Sequence, residues 1–70
     1  MIENMKIGDK VHYKKFNYQK YMHTSENGII KEIVDDNYTR VVYNCDNDWE
    51  NYHNYTSALT RNEDLYKGWI

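Results

Sequence analysis

Residues Gly28 to Cys45 read Gly-Ile-Ile-Lys-Glu-Ile-Val, then Asp-Asp-Asn, then Tyr-Thr-Arg-Val-Val-Tyr-Asn-Cys. Two runs rich in β-branched and aromatic residues flank a short break of turn-forming polar residues, which is the pattern of a β-hairpin. A lone hairpin buries too little apolar surface to be stable in water, so the remaining residues are expected to supply the rest of a sheet. In the second run Thr39, Val41, Tyr43 and Cys45 share one face and Tyr38, Arg40, Val42 and Asn44 the other. Apolar groups on both faces predict a central strand and leave open which face is inner.

Working back from the hairpin, Asn27-Gly28 tolerates positive φ and is expected to reverse the chain into a second strand, Ile29 to Val34. Upstream, Gly8-Asp9 predicts a tight turn. The alternation that follows puts Val11 and Tyr13 inside and Lys10, His12 and Lys14 outside, giving a first strand with a basic outer face. Lys15 to Glu26 holds neither a period of 2 nor one of 3.6 and is read as a long loop or an irregular continuation of that strand.

Working forward, Asp46 to Tyr55 is a polar, aromatic-rich loop, and Thr56 to Leu59 a short fourth strand. Thr60-Arg61-Asn62-Glu63 has capping-box spacing, which predicts a helical turn through Asp64 and Leu65. Gly68 ends that turn, and Trp69-Ile70 is expected as a last strand fragment.

Seventy residues are expected to form one domain, residues 1–70. A chain of this size buries only about 60% of the surface its unfolded form exposes, which argues against a deep two-walled substrate cleft and hence against most enzymes. Nine basic and eleven acidic residues give a net charge of −2, too balanced for bulk attraction to nucleic acid. The charge is unevenly placed: residues 1 to 33 carry a basic excess and residues 34 to 70 an acidic one. Such an uneven field suits a charged protein partner or ordinary solvated faces. Eight of the eleven aromatics are tyrosines, whose apolar ring and wet hydroxyl serve equally to close the rim of a thin core and to contact a partner. Cys45 is the single cysteine, so no internal disulfide is expected. With no signal-like or membrane-length apolar run in the sequence, the expected location is cytoplasmic.

Gly8-Asp9-Lys10-Val11, Gly28-Ile29-Ile30-Lys31-Glu32-Ile33, Val41-Val42-Tyr43 and Glu63-Asp64-Leu65 follow one another in the order and spacing of the SH3-like barrel superfamily. The chain resembles its KOW and Tudor-like branches from Ile7 onward. The resemblance implies an all-β fold: a small five-stranded SH3-like barrel with one short helical turn before the last strand. Cys45, Trp49, Tyr52, Tyr55 and Thr56, followed by Asp64, Leu65, Gly68 and Trp69, also resemble a pattern in small phage and prophage proteins that have no assigned chemistry. That second resemblance implies a mobile-element origin and, by analogy of origin alone, an inhibitor that blocks a host or defence protein.

Asp46, Asp48 and Glu50 occupy positions 1, 3 and 5 of a calcium loop. Asn51 stands where that loop needs glycine and Ser57 where it needs glutamate, so no metal is expected. One cysteine and three scattered histidines match no zinc spacing. Cys45 and His53 could meet across the loop, but no oxyanion turn accompanies them, and alternation makes Cys45 a small buried hydrophobe. No catalytic residue and no cofactor are expected.

Two binding surfaces are predicted. Trp49, Tyr52 and Tyr55, ringed by Asp46, Asp48 and Glu50, have the composition of a protein-interface centre. Trp49→Ala is therefore expected to weaken partner binding and leave the fold intact. The competing reading is that Trp49 and Tyr55 cover the open end of the barrel. Lys14, Lys15, Phe16, Tyr18, Lys20 and Tyr21 interleave cations and rings as an RNA or single-stranded DNA surface would, and a KOW-like fold would be consistent with that use. The acidic loop would repel a phosphate backbone, so a protein partner is the favoured reading. The edge of an open barrel is a further contact surface, through strand addition.

Overall fold

The computed structural model describes residues 5–17, 19 and 21–70, without the side chains of Phe16, Asn17 and His23. The chain forms an all-β, five-stranded antiparallel sheet: β1 (Lys10–Asn17), β2 (Met22–Ile33), β3 (Tyr38–Val42), β4 (Ala58–Arg61) and β5 (Leu65–Lys67). Their order is β4-β3-β2-β1-β5. Two 3-10 segments, η1 (Trp49–Asn54) and η2 (Asn62–Asp64), follow β3 and β4. No described helix is long and apolar enough to cross a membrane.

The hairpin at the centre forms as predicted. The Asp35 carboxylate accepts the backbone N–H groups of Asn37 at 2.7 Å and Tyr38 at 2.9 Å, an Asx turn that fixes the reversal between β2 and β3. The Gly8 turn also forms: the Asp9 N–H donates to the Lys6 carbonyl at 3.1 Å, and φ of +93° at Gly8 is a value glycine tolerates.

Other boundaries differ: β3 ends at Val42 instead of reaching Cys45, and the fourth strand runs from Ala58 to Arg61 instead of Thr56 to Leu59. Asn27-Gly28 is no turn; both residues lie inside β2, opposite His12 and Val11. Glycine is needed there because a Cβ would stand 2.6 Å from Val41 Cγ1, 2.8 Å from the Val42 carbonyl oxygen and 3.0 Å from a Tyr43 ring carbon. Lys15 to Glu26, read as a long loop or an irregular continuation of the first strand, supplies regular strand on both sides: β1 continues to Asn17, β2 begins at Met22, and the two stay in register from Lys10↔Ile29 to Asn17↔Met22. The capping box is not made: Arg61 caps η2 without a side-chain bond, and the Thr60 hydroxyl instead lies 2.8 Å from the Tyr43 hydroxyl. Trp69 and Ile70 follow the last strand instead of forming it, after Gly68 turns the chain at φ +84°.

The sheet must curl strongly. β4 and β5 are its two edges, yet only Asn62, Glu63 and Asp64 separate Arg61 from Leu65. Four Cα steps span at most about 14 Å, whereas the edges of a flat five-stranded sheet lie about 19 Å apart. Tyr13, the partner of Leu65, stands opposite Glu26 in β2, while Tyr38, the partner of Arg61, bonds Val34 just past the end of that strand. Strand β2 therefore bends between these levels, where Gly28 admits Tyr43 and the register shifts between Ile30 and Glu32. The bend encloses a core of Val11, Ile30, Val41 and Leu65, with Met5, Tyr13 and Tyr43 packed against it. Among the described pairings β4 and β5 share none, so the sheet is open.

Asn62 ties the curl shut. It is 5% exposed, and its amide nitrogen donates to the Asp36 carbonyl at 2.9 Å while its backbone N–H donates to the Asn37 carbonyl at 2.9 Å. Its amide oxygen accepts from the fully buried Thr39 hydroxyl at 2.6 Å. One side chain thus joins the β2–β3 turn, the middle of β3 and the crossover to β5.

Candidate protein-binding surfaces

Successive residues of a strand face opposite sides of a sheet, and here both sides are used. Val11, Ile30, Val41 and Leu65 face the core just described, while Ile29 and Val42, paired across β2 and β3, face the other side and are also buried. The segment that follows β3 folds back toward that second side. Asp46 and Asn47 both have positive φ, 51° and 66°, and the Asp48 N–H donates to the Cys45 carbonyl at 2.8 Å, which makes a type I′ turn. It leads into η1, which contacts β2. Cys45 is buried at the start of this turn, the place of a small hydrophobe.

The predicted acidic-aromatic residues are brought together on this segment, but their rings have partners. Trp49 is half-buried, 4.9 Å from Trp69 between ring centroids. Trp69 in turn donates its indole N–H to the Gly28 carbonyl at 2.8 Å and carries the Lys10 ammonium 4.6 Å from its ring centre. The Tyr55 hydroxyl donates to the Asp48 carboxylate at 2.9 Å, and that bond holds the Tyr55 phenol above its usual pKa. The Tyr55 carbonyl accepts from Lys31 at 2.6 Å. Tyr52 is half-buried, and its hydroxyl would lie 3.3 Å from a Cβ added at Gly8. Asp46 and Glu50 are exposed and Asp48 is half-buried. The cluster is therefore a lid on the second side of the sheet, with an acidic outer rim. Among the described residues no three His, Cys, Asp or Glu groups are placed to hold a metal ion.

Trp69 is not among the residues predicted for this surface; the sequence marks it only as an apolar strand fragment and as the last position of the pattern that also holds Trp49, Tyr52 and Tyr55. It belongs to a short strap in which the Gly68 carbonyl lies 2.8 Å from His12 Nδ1 and Asn27 bonds both the N–H and the carbonyl of Ile70 at 3.0 and 3.1 Å.

The basic-aromatic segment has the opposite character. β5 pairs with β1 only over Val11 to Tyr13, and β3 pairs with β2 only from Ile29 on. The distal parts of β1 and β2, from Lys14↔Ser25 to Asn17↔Met22, are thus a two-stranded arm beyond the five-stranded body. Lys14 and Lys15 are exposed, and near the end of the arm Tyr21 is 84% exposed, at φ +50°, and Met22 is 53% exposed. Tyr18 and Lys20, also predicted for this surface, lie outside the described residues, as does the side chain of Phe16. Met22 was not predicted as a contact residue; the register that sets it opposite Asn17, away from the core, is invisible in a segment with no clear period.

No family model matches the sequence, and no curated protein or solved structure matches it significantly.

Proposed function

We propose that the chain is a non-enzymatic protein-binding module with an SH3-like barrel fold, and that its primary contact element is the β1–β2 arm. Support for the fold comes from the five antiparallel strands and the short 3-10 turn before the last of them, the two features that the resemblance implied. The observation that carries the binding role is the pair of large exposed side chains, Tyr21 and Met22, at the end of an arm clear of the core. Tyrosine and methionine are enriched at interface centres, and the side chains of Tyr21 and Met22 make no described hydrogen bond, ion pair or ring contact. The acidic rim of the η1 lid, Asp46 and Glu50, is a second surface that a partner can touch. In keeping with its resemblance to phage proteins, the module acts as a small inhibitor of a host or defence protein.

A second reading, single-stranded nucleic acid on the arm, is favoured by the exposed Lys14 and Lys15 on the same arm as the exposed Tyr21. Capture from a bacterial lysate with the tagged chain, with and without nuclease, separates the two. A stoichiometric protein that survives nuclease and is lost with Tyr21→Ser plus Met22→Ser supports the protein-binding reading. Retention that disappears with nuclease, and falls steeply with added salt, replaces it with the nucleic-acid reading.

A further inference from the structure

The outer edge of β2 in the arm carries backbone groups that no described strand pairs. The Ile30 N–H donates to the Asp9 carbonyl at 3.0 Å, toward β1. Backbone groups of an antiparallel strand point alternately to its two sides, and the β1–β2 register is unbroken from Ile29 to Met22. Counting back in twos, Gly28, Glu26, Thr24 and Met22 turn their N–H and C=O groups toward β1. Those of Asn27, Ser25 and His23 point away from it, and β3 pairs only from Ile29 on. Three outward residues in a row along one edge are the template for strand addition.

The side chains beside that edge select what can pair. Ser25 and Thr24 are small, exposed and directly opposite Lys14 and Lys15. Because successive residues alternate, Lys14 with Ser25 and Lys15 with Thr24 lie on opposite faces of the arm. A strand added outside β2 would run about 10 Å from β1, and across a serine and a threonine an extended lysine can reach toward a glutamate on it. Lys14 and Lys15 have no ion-pair partner among the described residues, whereas Lys10 and Lys31 are engaged with Trp69 and the Tyr55 carbonyl.

We infer that the outer edge of β2, from Met22 to Asn27, receives an extended peptide segment of a protein partner that carries two adjacent acidic residues, one carboxylate for each lysine. This rests on the protein-binding reading above and specifies its mode. Lysines also discourage a second copy of the same arm from pairing there, so the edge is selective as well as open.

The test uses the full chain, isotope-labelled, and the capped peptide Thr-Val-Glu-Glu-Val-Thr as probe, with Thr-Val-Lys-Lys-Val-Thr and an oligothymidylate as comparisons. The expected result is slowed exchange of the Ser25 and His23 amides with the acidic peptide, and no comparable change with the lysine peptide. Lys14→Glu with Lys15→Glu should weaken binding by about tenfold or more. Ser25→Pro, which removes an outward N–H, should abolish binding and retain the dispersed spectrum, whereas Thr24→Pro removes an N–H that faces β1 and should loosen the arm itself. Binding unchanged in a folded Ser25→Pro variant overturns strand addition. So does the absence of any amide response to millimolar acidic peptide, or preference for the lysine peptide, the oligothymidylate or self-association. If the peptide fails while the Tyr21 and Met22 variants still abolish lysate capture, the binding-module reading survives without this mode; if both fail, both fall.

Discussion

Asn62→Ala is the substitution whose cost can be worked most directly from the structure. The alanine would leave the Thr39 hydroxyl, 0% exposed, without the 2.6 Å acceptor it now has; Met5 Sδ at 3.8 Å is a weak substitute. An orphaned buried hydroxyl costs roughly 1–3 kcal/mol. Losing the donor to the Asp36 carbonyl adds less, because Asp36 is exposed and its carbonyl can turn to water. With the small void left by the amide, the sum is about 3 kcal/mol. A 70-residue chain is stabilised by roughly 4–10 kcal/mol in total, so the variant should lose a large fraction of its stability and about 12–24 °C in Tm. Urea unfolding followed by tryptophan fluorescence measures this directly. Thr39→Val separates the mechanism from simple loss of packing: with no hydroxyl to strand, Asn62→Ala on that background should cost about 1 kcal/mol or more less than it does alone. A loss under about 1 kcal/mol, or strict additivity of the two changes, would refute the role given to Asn62.

Gly28→Ala should destabilise by about 2–3 kcal/mol, since the new Cβ meets the Val42 carbonyl, which cannot swing aside as a side-chain end could; thermal unfolding checks it. Trp49→Ala, expected from sequence to spare the fold, should cost about 2 kcal/mol because the side chain is half-buried and its ring packs against Trp69, and urea titration of the variant distinguishes the two outcomes. Tyr43 has its phenol pushed up to about 12, mainly by burial, against the bond to Thr60, which acts the other way. The unfolded chain therefore loses this proton first as pH rises. The neutral Tyr43 contributes its full stability below about pH 10, and that contribution declines as pH rises from there through about 12. Stability measured across that range should fall less steeply in Tyr43→Phe than in the parent chain, and absorbance titration should show one fewer late-ionising phenol.

What could be read in advance was what local chemistry decides. The Asp35-Asp36-Asn37 reversal and the Gly8 turn each rest on a few adjacent side chains and came out where the residues put them. Gly28 misled because a glycine has two uses. Next to Asn27 it looks like a turn, but its function depends on Val41 and Tyr43, thirteen and fifteen positions away. The arm was hidden for a related reason: its described side chains are exposed on both faces, so selection for a buried side imposes no period of 2 on Lys15 to Glu26. Of the two candidate surfaces, the composition of the acidic-aromatic one suited an interface centre and a lid equally, and only the ring contacts to Trp69 and the Asp48 bond to Tyr55 reveal its part in covering the sheet.

The same division bears on how the surfaces are tested. Asn62, Gly28 and Trp49 act through contacts that link distant parts of the curl, so substitutions there change stability and binding together and cannot locate a site. Tyr21, Met22, Lys14 and Lys15 stand on a ribbon that, among the described strand pairings, joins the body through β1 and β2 alone. Removing their side chains strands no buried group, so Tyr21→Ser with Met22→Ser, and Lys14→Glu with Lys15→Glu, should each leave the urea midpoint within about 0.5 kcal/mol of the parent. Any loss of partner binding in these variants is then attributable to the arm surface. A midpoint shift well beyond that value would show instead that the arm is packed against part of the body, and the case for its end as the primary contact would be lost.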